Sequence, residues 1–154
     1  MALYRGIIII TFKGERIYPR AKTISRLTQF RAAQEASRKG AFEAVLASAD
    51  GRVHEGVRSN FFLVKNGKLI TPSLETVLPG IRRRYVIELA QKEGIAVEER
   101  RVDQEELYVA DEAFVTSTIM ELVKIGQIDD CPLPPTSPIF DRLAAAFQIL
   151  KKAQ

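Results

Sequence analysis

The stretch VHEGVRSNFFLVKNGKLIT (53–71) reads as strand on both sides of one Glu-Gly pair. Glu55 therefore stands at a strand end, just ahead of an apolar run, which raises the question of what proton or cation its carboxylate serves. Its neighbour His54 is the chain's single histidine and reads as a strand surface residue. No nucleophile elbow accompanies it, so a Ser-His-Asp site is not expected. With one His and one Cys, Cys131, neither a structural zinc site nor an internal disulfide is expected. Glycine-rich phosphate loops of the two common types are absent. One anion cradle does stand out: LPGIRR (78–83) enters a helix, whose first turn offers free N–H groups and a favourable dipole.

These residues need elements to position them. GIIIITF (6–12) is a strand, because consecutive β-branched residues favour extended backbone. From Thr23 to Lys39 the apolar spacing of three and four turns helical, and Gly40 is a natural stop. FEAVLAS (42–48) reads as a strand, with an Asp-Gly turn into RVHE. NFFLVKNGKLIT (60–71) is a hairpin with Asn66-Gly67 at its tip. GIRRRYVIELAQKEG (80–94) is an amphipathic helix closed by Gly94, and IAVEERRV is a strand. Asp103 caps a short QEEL helix. EAFVTST is a strand, ELVKIGQID a strand-turn-strand, and the loop PLPPTSP delivers a last helix over 138–152. The class expected is α+β with hairpins predominating, in one domain spanning 1–154, and a doubly wound parallel sheet is disfavoured.

Composition narrows the partners. Apolar content of 46% and charged content of 27% fit a packed core rather than disorder. The net charge of +4 is uneven: residues 1–40 carry nine Lys/Arg against Glu15 and Glu35, and the remainder is net acidic. Those cations are scattered, without a basic block or interleaved aromatics, so no nucleic acid is expected. The longest apolar run, Gly6–Ile10, is far too short to span a bilayer, and no small-residue cleavage site follows it. A cytoplasmic protein that uses no membrane is expected.

Five stretches, in order, resemble one family. AKTISRL (21–27), GAFEAVL (40–46), EGVRSNFF (55–62), LPGIRRR (78–84) and ADEAFVTSTIMEL (110–122) are similar to the large C-terminal domain of fold-type IV enzymes that use pyridoxal 5'-phosphate. That family contains branched-chain and D-amino-acid aminotransferases and aminodeoxychorismate lyase. The resemblance implies a D-amino-acid aminotransferase-like fold, a hairpin-rich pseudo-barrel sheet flanked by helices. It also implies a homodimer acting on an amino acid and a 2-oxo acid.

By that resemblance Glu55 holds the cofactor's ring nitrogen, raising its pKa by stabilising the charged form, so that electron density can flow into the ring. Gly56 is a permissive bend, and Ser59 and Asn60 support Glu55. Lys22, 33 residues before Glu55, is the lysine that bonds the cofactor aldehyde and later shuttles a proton. Gly80 and the backbone amides of Ile81 and Arg82 form the phosphate cradle, Leu78 packs on the ring face, and Ser117 and Thr118 form the second anion loop. The commonest family form has threonine where Arg82 stands; a guanidinium there can pair with phosphate.

Other departures bear on substrate. TISRL replaces the GGNY that usually follows the lysine in branched-chain enzymes, RLTQ (26–29) leans toward the lyase, and the intact TST (116–118) leans toward transamination. Amino-group transfer, lyase-type elimination and a non-catalytic binding module all remain open at this point. The family's small N-terminal domain, which supplies a phosphate-binding arginine, has no counterpart in these 154 residues, so weak cofactor binding and little turnover are expected.

Overall fold

The computed structural model describes residues 6–16 and 26–153. Its strands, in chain order, are β1 Ile7–Lys13, β2 Glu43–Ala47, β3 Val53–Gly56, β4 Asn60–Lys65, β5 Lys68–Pro72, β6 Val97–Arg100, β7 Glu112–Ser117, β8 Glu121–Ile128 and β9 Cys131–Pro132. The helices are α1 Leu27–Arg38, α2 Ile81–Lys92, α3 Gln104–Tyr108 and α4 Pro138–Lys152. The sheet runs β3-β2-β1-β8-β7-β4-β5-β6, with β9 beside β8. The segment expected to begin the first helix, 23–25, lies outside the described residues.

Local chemistry explains the elements. Asn66 and Gly67 both have positive φ, 50° and 76°, the backbone twist that a two-residue hairpin turn requires. Asp103 and Glu106 form a reciprocal capping box, the Glu106 carboxylate accepting the Asp103 N–H at 2.8 Å. Most pairings are antiparallel, but β1 runs parallel to both β2 and β8, and β5 parallel to β6. Strand-helix-strand crossovers through α1 and α2 make the β1–β2 and β5–β6 pairs. Beyond β6 the chain returns to the start of β3. Val53 N–H donates to Val102 O at 2.8 Å, and Arg52 bridges Asp103, so the sheet curls into a half-barrel.

Alternation of side chains then divides the core. Ile9, Val45, Phe61 and Val115 point into the curl, while Phe62, Phe114 and Leu69 face α2 and α4, and Ile10, Ala44 and Leu46 face α1. Phe62 and Phe114 stack with ring centroids 5.0 Å apart, a contact worth about 1 kcal/mol beyond burial.

Two expectations are corrected. ELVKIGQID is one continuous strand, because Gly126 absorbs a register shift between β1 and β8 instead of making a turn. A side chain on Gly6 would meet Gly126 N at 2.5 Å, so the two backbones need this close approach. The turn comes later, at Asp129 with φ 51°. His54 is buried rather than on the surface, at 5% exposure. Between Val45↔Gly56 and Ala47↔Val53 the strand β3 carries one residue more than β2, a bulge that breaks alternation and buries all four β3 residues.

Candidate active site

The bulge in β3 places Glu55. Its side chain is almost wholly buried, and its two oxygens have unequal partners. Oε2 accepts the Leu78 N–H at 3.1 Å. Oε1 lies 2.6 Å from Arg16 Nε, yet neither atom is aligned for a hydrogen bond, so the contact is charge against charge and Oε1 keeps unused lone pairs. Burial pushes the Glu55 carboxyl up to about 7, opposed by the Arg16 guanidinium and then by the Leu78 N–H. A carboxyl shifted upward by burial beside a single charged partner is a candidate functional group.

Asn60 at the start of β4 holds the facing loop. Its Nδ2 donates to Leu78 O at 3.0 Å, so both backbone groups of Leu78 are fixed, one by Asn60 and one by Glu55. A Cβ on Gly80 would lie 2.2 Å from Asn60 Oδ1, which explains glycine at that position by space alone. Gly80 is also the N-cap of α2 in extended conformation, and no side chain caps that helix. The first-turn N–H groups of Ile81 and Arg82 are thus available to an anion. Arg83, buried, ties the helix start to Pro72 O at 3.0 Å and to Glu99 at 2.8 Å.

Asn60 pairs with Thr116 in the β4–β7 register, which brings the Ser117–Thr118 turn to the same edge. Ser117 Oγ accepts the Met120 N–H at 3.0 Å, and Thr118 is exposed. Arg82 does not stand free as a phosphate partner: its guanidinium lies 5.0 Å over the Phe147 ring of α4. Ser59 donates to Glu43 Oε2 at 3.2 Å rather than to Glu55. Gly56 ends β3 without positive φ, and its lack of a side chain is explained by space: a Cβ there would meet Ser59 Oγ at 2.0 Å. Lys22 lies outside the described residues.

Contacts and register thus gather Glu55, Asn60, Leu78, Gly80, the α2 N-terminus and the Ser117–Thr118 turn, whereas Ser59 serves Glu43. Sequence reasoning missed Arg16, Glu43 and Arg83. Glu43 left a signal, an acid inside an apolar strand; Arg16 left none, because nothing local marks it as a partner of a residue 39 positions away. A groove of about 750 Å³ between β8 and the start of α4 has neither Glu55 nor Asn60 in its lining and is not this site. Among the described residues no group of His, Cys, Asp and Glu has metal-site geometry, and no helix is long and apolar enough to cross a membrane.

Comparison with known proteins places the fold in a family. The branched-chain-amino-acid aminotransferase of Pseudomonas aeruginosa is 36% identical over 118 residues, 75% of this chain and 38% of that protein. The branched-chain amino acid aminotransferase of Escherichia coli superposes with a TM-score of 0.81 at 30% identity, over 94% of this chain and 52% of that one. The branched-chain aminotransferase of Thermoproteus uzoniensis, solved with norvaline, gives 0.80 at 34% identity over 93% and 50%. The chain spans about half the length of these relatives or less. The amino-transferase class IV family model matches residues 8–128, which holds every described residue of the site, and the chain belongs to that family.

Proposed function

We propose that this chain is the cofactor-binding part of a pyridoxal-phosphate transaminase that moves an amino group between an amino acid and a 2-oxo acid. One observation carries the reading: a buried carboxylate with one oxygen unsatisfied beside a helix start with uncapped N–H groups. The donor set fits the cofactor. Glu55 Oε1 would take the ring N–H, the Ile81 and Arg82 amides with the Ser117 and Thr118 hydroxyls would hold the phosphate, and Leu78 would lie against the ring. When bound, the cofactor supplies an electron sink for charge developing at the substrate Cα.

The chain's own residues do the rest. Glu55 holds the proton at the ring nitrogen, and its burial strengthens that interaction by excluding water. Asn60, through Leu78, keeps the loop at fixed distance from Glu55. Lys22, the lysine that the family resemblance singles out, would be the amine that holds the cofactor's aldehyde and, when free, would serve as the base that carries the substrate Cα proton. The names of the relatives point to branched-chain amino acids, and Leu27 and Phe30, exposed on α1, are suited to association with a second copy.

The test is titration with pyridoxal 5'-phosphate followed by absorbance, then borohydride reduction and peptide mapping. Saturable binding with the pyridoxyl group on Lys22 is expected, and label at Lys39 or Lys65 instead would overturn the assignment. Conversion that requires a 2-oxo acid marks transfer; conversion without one marks the lyase-type reaction.

A further inference from the structure

We propose that Arg16 is a positioning residue that aims Glu55 and favours its ionised form against the effect of burial, so that a carboxylate is available to meet the cofactor's ring nitrogen. The inference rests on the cofactor reading above and deepens it. Arg16 follows β1, and its side chain is only 13% exposed, so its charge acts through little water. Its Nε lies 2.6 Å from Glu55 Oε1 without hydrogen-bond alignment. An aligned, bidentate guanidinium would consume the carboxylate's acceptor sites. A misaligned one supplies charge and leaves Oε1 open to a second donor. Two positive groups can share one carboxylate in this way, one fixed and one arriving with the ligand.

No other described charge does this work. On β2, Glu43 is consumed by donors from its own strand and from the β3–β4 turn. On β3, burial holds the His54 imidazole below its ordinary value, and its Nε2 faces Glu15 at 3.8 Å. From the loop after β5, Glu55 receives only the Leu78 N–H. Among the described residues, Arg16 is the sole charged group that acts on the Glu55 carboxyl, and it acts against desolvation. An opposite charge this close lowers a carboxyl pKa by about one to three units, so neutralising Arg16 moves the midpoint upward by that amount.

The decisive experiment is a 13C NMR titration of side-chain carboxyls in the chain, with the Glu55 signal identified by its loss in Glu55→Gln. The native midpoint is expected at about 7. In Arg16→Met and Arg16→Gln it rises by at least about one pH unit, and Arg16→Lys restores most of the difference. The apparent affinity for pyridoxal 5'-phosphate, read by absorbance across the same pH range, follows the same midpoints and loses its step in Glu55→Gln. Identical carboxyl midpoints in native and Arg16→Met protein overturn the role of Arg16 and leave the cofactor reading standing. A native chain that binds no pyridoxal 5'-phosphate at any pH overturns the cofactor reading, while the carboxyl titration still decides what Arg16 does.

Discussion

Glu43 and Glu55 sit on adjacent antiparallel strands, 3% and 2% exposed, and differ in everything else. The Glu43 carboxylate accepts the Ala44 N–H at 2.9 Å, the Val57 N–H at 3.2 Å, the Arg58 N–H at 3.3 Å and the Ser59 hydroxyl at 3.2 Å. Glu55 has one N–H and a misaligned arginine. A buried charge surrounded by donors holds a turn in shape; a buried charge left short of donors is costly to keep and retains capacity for a ligand. Sites of the second kind are where stability is given up for function. The turn that Glu43 organises, 57–59, begins two residues after Glu55, so the saturated carboxylate holds the frame in which the unsaturated one works.

The largest effect that tests this contrast is on Glu43. Glu43→Gln puts an NH2 group against N–H donors and removes the charge they were solvating. Unfolding in denaturant should show a loss of about 2–4 kcal/mol at unchanged m-value. A near-neutral result would mean that the turn does not depend on this carboxylate.

Glu55→Gln should act in the opposite sense on stability. Because the folded carboxyl titrates near 7 and the unfolded one near 4.5, the folded chain binds more protons between those values. The native protein therefore loses stability as pH rises through this window, by about 3 kcal/mol from this group. Glu55→Gln removes that slope, so it should equal or exceed native stability at pH 8 while losing affinity for pyridoxal 5'-phosphate by about ten- to a hundredfold. A variant that is less stable at pH 8 and still binds the cofactor normally would reverse the assignment of the two glutamates.

Ser59→Ala sharpens the comparison further. Its hydroxyl is one of four donors on Glu43, so unfolding should cost about 1–2 kcal/mol with cofactor affinity unchanged. A selective loss of affinity would move Ser59 from the frame to the site. Arg82→Ala should have the smallest effect, about 0.5–1 kcal/mol from the lost stacking on Phe147, with the phosphate cradle kept by backbone amides.

Much of this was legible in the sequence where one residue dictates its own geometry. Asn66-Gly67, the Asp103 cap and the helix stops at Gly40 and Gly94 are local, and all appear where periodicity placed them. Glu55, Asn60, Leu78 and Gly80 were found through flanking motifs, and the structure joins them by contacts. What was not legible is register. The bulge in β3 that buries both His54 and Glu55, and the shift that turns Gly126 from a turn into a strand residue, depend on which strands lie alongside. Arg16 and the destination of the Ser59 hydroxyl escaped for the same reason, since a partner across the fold leaves no mark on local spacing.

The central claim is that the free oxygen of Glu55 holds a proton at the cofactor's ring nitrogen. The most direct measurement is the 15N NMR shift of ring-labelled pyridoxal 5'-phosphate bound to the chain at pH 8. A protonated nitrogen in the native protein and a deprotonated one in Glu55→Gln is the predicted result. The same shift in both proteins would contradict it.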